Sequence, residues 1–266
     1  MNRRHWLLGL VSLLGGVRVL PALGQGMMGQ VDLSSPRMTR AELDRAAIEG
    51  MIGDAGGNPV DLRDRSLNGL DLSGLNLAGA RLQWARLNKA RLRACDLEGA
   101  DLGMVWAVAA DFTEATLRNA DLFQGQYRRA IFDRADLSGA RLIGNFDMAR
   151  FNGARLHGAR GGADMRNQSM GLIRASFRSA VLENADLSAA DFSRADFEYA
   201  KLRGADLEGA DFTRVLLGGA DLRGANLRGL VLDGADIASV DFRGAEGVEA
   251  IVGLDRTKNR NRAFFD

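Results

Sequence analysis

Between Val60 and Ala245 a large apolar residue returns at every fifth position. From Leu62 to Leu142 there are seventeen such slots, and sixteen hold Leu, Phe or Tyr, with Ala107 as the exception. A second run from Leu172 to Phe242 has fifteen slots, every one Leu, Phe or Ile. Two residues before each large side chain sits a small one, as at Ala80, Ala85, Ala90 and Ala100. A period of five fits neither the 3.6 of an α-helix nor the 2.0 of a strand. It requires a short extended piece and a turn in alternation, with one large and one small side chain of each five facing inward. A unit this short cannot bury its own apolar residue, so units must stack into a coil. Gly is frequent two residues after the large one (Gly69, Gly74, Gly79, Gly99), where a tight turn benefits from a missing Cβ.

The unit, Ala-Asp/Asn-Leu/Phe-x-Gly, resembles the pentapeptide repeat family over roughly 70% of the chain. The resemblance implies an all-β fold: a right-handed quadrilateral β-helix with four pentapeptides, about 20 residues, per coil. About nine coils at the roughly 4.8 Å spacing of paired strands imply a rod roughly 45 Å long.

Charge patterning tests the coil length independently. Outward positions one coil apart should favour opposite signs. Arg81 precedes Asp101 by twenty, Arg91 precedes Asp111, and Asp121 precedes Arg141. Arg178 and Glu198, Glu183 and Arg203, and Glu208 and Arg228 keep the same step. Asp186 would stack on Asp206 and Asp191 on Asp211, a repulsion softened if these aspartates accept backbone N–H bonds at the corners. The register breaks over 143–171: large residues fall one position early at Phe146, Phe151 and Leu156, and the original phase is expected back by Leu172. This reads as a bulge or short loop in one solenoid, the alternative being a hinge between two half-rods.

The flanks differ from the repeat. Residues 1–24 read as an export signal: Arg3 and Arg4, the apolar Trp6–Leu20, then Ala22-Leu23-Gly24 for cleavage. The paired arginines look like a twin-arginine signal. The alternative is an uncleaved membrane anchor, against which Arg18 and the short, Gly-rich run argue. Residues 25–38 form a flexible leader, and 39–59 a capping helix and turn, with Thr39-x-x-Glu42 as a capping box. Residues 246–266 leave the repeat and fold over the last coil, ending in basic Arg256–Arg262 and Phe264-Phe265.

Composition narrows the function. The formal net charge is +1, and loss of the first 24 residues would leave 32 basic against 34 acidic residues. A nearly neutral rod argues against nucleic acid as a partner. The two histidines, His5 and His157, lie far apart, no cluster suggests a metal, and no cofactor or catalytic motif appears. Cys95 occupies a small inward slot and reads as packing. The interaction clue is where outward slots turn apolar: Trp84, Met104, Trp106, Phe123 and Ile143 would line one side and its adjoining corner. Contiguous exposed apolar surface suggests a protein partner or a homodimer contact, unless the leader, cap or a loop covers it. The leading expectation is an exported, non-enzymatic scaffold for protein–protein interaction, with no membrane span once the signal is removed. One alternative is a DNA mimic that binds topoisomerases, which near-neutral charge and export disfavour. The other is an enzyme working from the loop at Arg160–Ser169, which needs His157 to face a cleft.

Overall fold

The computed structural model describes residues 32–165 and 173–266. The residues expected to form an export signal, most of the expected leader and the centre of the register-break loop, including Leu172, lie outside the described residues.

Each repeat residue preceding a large apolar one forms a parallel bridge to the residue one coil on. Asp61 pairs with Arg81, Ser66 with Arg86, Asp71 with Arg91 and Asn76 with Asp96, giving four ladders per twenty residues. The bridges are single, so each side of the coil is one residue of β-structure between two turns rather than an extended strand. The backbone bonds repeat accordingly. Leu62 N–H donates to Arg81 O (2.8 Å), Asp64 N–H to Gln83 O (3.0 Å), and Arg81 N–H returns to Val60 O (2.9 Å). The four sides are called 1 to 4 here, beginning with the columns of Leu62, Leu67, Leu72 and Leu77.

The large residue and the small residue two positions earlier fill the axis. Almost all are fully buried and belong to one continuous cluster. Stacked rings record the coil spacing: Phe112 on Phe132 at 4.8 Å, Phe132 on Phe151 at 4.8 Å, Tyr127 on Phe146 at 4.9 Å, and Phe177 on Phe197 at 4.7 Å. Ala107 and Gly125 are small for one reason. Tyr127 sends its hydroxyl to Leu102 O (3.0 Å), and a Cβ at Gly125 would lie 2.4 Å from its ring. Cys95 donates its thiol to Leu72 O, and burial pushes that thiol up to about 11, so it packs rather than reacts.

Outside the register break the corner two residues after the large one is left-handed. Gly69, Gly74 and Gly79 have φ of 69°, 72° and 64°, but Trp84, Lys89 and Ala94 take it too, at 64°, 56° and 51°. None of the non-Gly residues with positive φ is β-branched, as the steric cost of that region demands.

The register break resolves into two events at the corner between sides 1 and 2. Gln126 pairs with Asn145, a step of 19, because the corner residue between Ile143 and Gly144 is missing. A Cβ at Gly144 would meet Gly125 O at 2.9 Å. One coil later Asn145 pairs with Ser176, a step of 31. The insertion begins with Asp164 bridged antiparallel to Ile173. Pairing on both sides of the break is continuous, from Ile131↔Arg150↔Val181 to Arg141↔Arg160↔Asp191. Among the described residues the repeat resumes with Ala175, Ser176 and Phe177, in the original five-residue phase, while Ile173 belongs to the insertion. Gly161 stands in a large-residue slot, and Phe192 from the next coil occupies the space, its ring 2.3 Å from where a Cβ would be.

The charge ladder forms in part. Asp121–Arg141 (3.3 Å) and Arg178–Glu198 pair as expected, and Glu98–Arg118 (2.6 Å) and Glu114–Arg134 (2.7 Å) add the same step. Arg91 instead pairs with Asp71 behind it, and Arg93 takes Asp111. The stacked aspartates do accept backbone N–H groups: Asp186 from Ser188, Asp191 from Ser193, Asp206 from Glu208 and Asp211 from Thr213, at 2.8 to 3.0 Å.

The flanks depart from the sequence reading. Helix α1 spans Pro36–Thr39 and α2 spans Arg45–Asp54. Asp44 is the N-cap of α2, accepting from Ala47 N (2.8 Å), while Thr39 donates to Ser35 O and Glu42 N–H goes to Ser66 O. The expected capping box does not form because the chain between them is pinned to the first coil. Helix α2 buries Ile48 in the axial cluster, and Arg45 donates to Asp71 O and Ser73 O. Part of the expected leader is ordered: residues 32–42 form a strap along side 2, with Met38 buried. Asn68 donates to Arg37 O (3.3 Å) and Asn88 to Met38 O (3.2 Å). At the other end the pairing step becomes six: Glu246, Val252, Lys258 and Phe264 bridge Asn226, Val231, Asp236 and Asp241. Left-handed Gly247, Gly253 and Asn259 replace the large apolar residue, followed by 3₁₀ turns Val248–Ala250, Leu254–Arg256 and Arg260–Arg262. Ile251 and Phe265 turn in against the cluster, Phe265 stacking on Phe242 at 5.0 Å.

Candidate interaction site

The five apolar outward residues fall on neighbouring ladders. Trp84 and Met104 occupy successive corner positions between sides 1 and 2, with φ of 64° and 57°. Phe123 and Ile143 follow the large residue on side 1, and Trp106 precedes it on side 2, bridged between Arg86 and Gln126. Sidedness follows from the twenty-residue coil.

Their exposure differs. Trp84 is 53% exposed, and Met104 and Trp106 are half-buried. Phe123 carries the Arg141 guanidinium 3.8 Å above its ring, an arrangement that desolvates the ring face. Ile143 does not reach the surface as expected. It is 7% exposed because the root of the insertion, Gly162 to Met165, lies over it. The same root, with Asn119, Asp121, Arg141 and Arg160, walls an open groove. Arg141 holds Asp121 at 3.3 Å and reaches Asp164 at 4.0 Å, so the groove is charged and largely self-neutralised.

Among the described residues the groove is lined by Asp121, Arg141, Arg160 and Asp164 as its charged groups, with no His, Cys or Ser. His157 lies on side 4, exposed, with Nδ1 2.9 Å from Ser188 Oγ, and does not face the groove. Among the described residues no set of three His, Cys, Asp or Glu side chains could hold a metal ion. No described helix is long and apolar enough to cross a membrane.

The pentapeptide repeat model matches residues 60–93, 86–124, 108–144, 172–209 and 210–246, together more than half of the chain. The chain belongs to the pentapeptide repeat family. Its fold is accordingly the family's right-handed β-helical solenoid. Among solved structures, the chain is similar to full-length QnrB1, a plasmid-mediated fluoroquinolone resistance protein. The two share 17% identity over 74% of this chain and 93% of that one, with a TM-score of 0.52. It is also similar to HetL, involved in heterocyst differentiation regulation in the cyanobacterium Nostoc sp. strain PCC 7120. That match has 28% identity over 83% of this chain and 99% of HetL, with a TM-score of 0.33. No curated protein matches the chain.

Sequence reasoning missed the strap on side 2. Its signal was present as two Asn residues one coil apart, Asn68 and Asn88, in outward positions that are nonetheless buried at 4% and 8% exposure. Each accepts the backbone N–H one coil on, from Asn88 and Val108 (2.9 and 3.0 Å), and offers its amide to the strap.

Proposed function

We propose that this protein is an exported, non-enzymatic scaffold that holds a protein partner, or a second copy of itself, at the corner between sides 1 and 2. The observation that carries this reading is Trp84. A bulky aromatic stands more than half exposed in a left-handed backbone position, where it pays a steric cost and makes no core contact. Met104 above it and Trp106 beside it extend the apolar surface, and such clusters on a rigid frame favour binding through a few aromatic anchors. Export is the role assigned to residues 1–24. A topoisomerase-binding DNA mimic is the weaker reading. It needs a continuous acidic surface, and here Arg alternates with Asp along the ladders. The 17% identity to QnrB1 speaks to fold alone.

Replacement of Trp84 and Trp106 by Ser tests the site. Light scattering on both proteins reads self-association, and capture from the exported fraction reads a different protein partner. A lower molar mass, or loss of one specific captured protein, supports the proposal. Identical mass and identical captured proteins refute it.

A further inference from the structure

Side 2 of the first four coils carries no acidic residue. Its segments read Arg65–Gly69, Ala85–Lys89, Val105–Ala109 and Gly125–Arg129, and contain five cations. Every other side of the rod interleaves Asp or Glu with Arg over the same coils. Arg65 is neutralised by Glu42 of the strap at 3.3 Å. The other four, Arg86, Lys89, Arg128 and Arg129, have no carboxylate within 4 Å among the described residues, and Lys89, Arg128 and Arg129 are exposed. Arg86 Nε is buried with no hydrogen-bond partner. Fifteen other arginines along the described chain do find a carboxylate; unpaired cations also stand elsewhere, as at Lys201, Arg203 and Arg214, but there Glu183, Asp211 and Asp221 share their sides.

Beyond pairing Arg65, the strap adds cations of its own to this surface. Its carbonyls at Arg37, Met38 and Arg40 are tied to Asn68 and Asn88, which lays the exposed Arg37 and Arg40 along the same side. Its own acids are engaged: Asp32 accepts from Ser34, Glu42 pairs with Arg65 and Asp44 caps α2. Beyond the fourth coil, Asp147 accepts from Ser176 Oγ and Arg178 N. Apolar groups are interleaved with the cations. Trp106 sits half-buried between the coils of Arg86 and Arg128, and Leu33 is 44% exposed on the strap.

The geometry points to an anionic lipid surface as the ligand of side 2. A flat face with six unpaired cations, an indole at its centre and an apolar residue at its edge matches a headgroup layer, where cations meet phosphate and Trp sits at the interface. An acidic protein would also answer the charge, but the cations spread over three coils of a flat side and line no groove. The inference shares Trp106 with the protein-partner reading, but one is read by vesicle association and the other by molar mass and capture, so their failures are distinguishable.

The test uses the full chain with vesicles of phosphatidylcholine alone and of phosphatidylcholine with phosphatidylglycerol, by co-sedimentation at low and high salt. The test variant is Lys89→Ser/Arg128→Ser/Arg129→Ser. The matched control, Lys201→Ser/Arg203→Ser/Arg214→Ser, removes three equally exposed, unpaired cations from the second half of the rod. Circular dichroism checks that both fold. The unaltered chain should prefer the anionic vesicles, and the preference should fade at high salt. The test variant should lose roughly a hundredfold in partitioning, about fivefold per cation, while the control keeps most of it. Equal binding to both vesicle types, or equal loss in both variants, overturns the inference. Binding to polyglutamate without binding to anionic vesicles overturns it in favour of an acidic polypeptide.

Discussion

Restoring the repeat consensus at position 161 should destabilise the protein. Every neighbouring coil has a large apolar residue in that slot, with Leu142 below and Phe192 above, and a consensus argument would write Leu. The slot is already filled. A Cβ on Gly161 would lie 2.3 Å from Cδ1 and Cε1 of Phe192, a fully buried ring held edge-on by Phe177 and Phe197, both at 5.3 Å. Since Phe192 cannot swing without disturbing both rings, Gly161→Leu carries the cost of overpacking, about 1–3 kcal/mol. Phe192→Ala removes a fully buried ring and costs about 3–5 kcal/mol. The two changes should compensate, because the introduced leucine side chain can enter the space Phe192 leaves. The double variant should then be more stable than the sum of the singles by about 1–3 kcal/mol, within the range of coupled neighbours. Urea unfolding followed by circular dichroism gives the three midpoints, read as shifts in midpoint because a stacked repeat need not unfold in two states. If Gly161→Leu unfolds at or above the midpoint of the parent, or if the singles add, Phe192 is not in the slot and the register through the break is wrong.

Other substitutions follow from the same packing. Gly125→Ala places a methyl 2.4 Å from the Tyr127 ring, so thermal unfolding should fall by an amount equivalent to about 1–3 kcal/mol, with partial rescue by Tyr127→Leu. Trp84→Gly should leave stability unchanged or raise it by up to about 1 kcal/mol, as left-handed strain is relieved, while abolishing partner binding; a clear fall in melting temperature would show that Trp84 is structural. Asn88→Ala strips partners from Val108 N and Met38 O, so the strap should become sensitive to protease before the rod does, at a cost of about 1–3 kcal/mol. Acid should unfold the protein late. The Ser73 hydroxyl and N–H, with Arg91, hold Asp71 at about 2, and Arg243 holds Asp241 at about 2. Both pKa values are depressed, so their contribution is intact above the ordinary carboxylate value of about 3.9 and is lost as pH falls toward 2. A transition centred above pH 5 would contradict this.

The repeat was legible because each large apolar residue reports its own slot, from Leu62 on side 1 to Phe242 on side 3. Legibility failed where a slot is filled by something else. Gly161 carries no apolar signal, so the coil it belongs to vanished into an apparent irregularity. The six-residue coil at the C-terminus hid for the same reason, since Gly247, Gly253 and Asn259 stand where Leu would have marked the step. Thr39 and Glu42 have the residue types of a capping box, but the backbone N–H of Glu42 is claimed by Ser66, a contact between residues far apart in sequence. The apolar side chains of the candidate site were readable as departures from the corner consensus. What could not be read was cover: Ile143 is hidden by an insertion whose path no periodicity encodes.

The corners supply the last step. Left-handed geometry excludes branched and proline side chains there but accepts Gly, Asn, Ser, Ala and unbranched polar chains with little cost, and these types dominate the corner ladders. Trp84 and Tyr199 are the two aromatic exceptions, and both project into solvent, at 53% and 61% exposure. They lie on the two corners that bound side 2, Trp84 in its first half and Tyr199 in its second. Tyr199 leans over Gly219, whose Cβ would meet its ring at 2.8 Å, so the next coil keeps a Gly to seat it. A frame built from interchangeable coils has no folding reason to place aromatic rings there, and still less to clear a neighbour for one. Side 2 also holds the strap, the unpaired cations and, at its edge, the insertion. Four departures from the repeat thus meet on one side of a four-sided rod, and the proposed contacts are placed on that side.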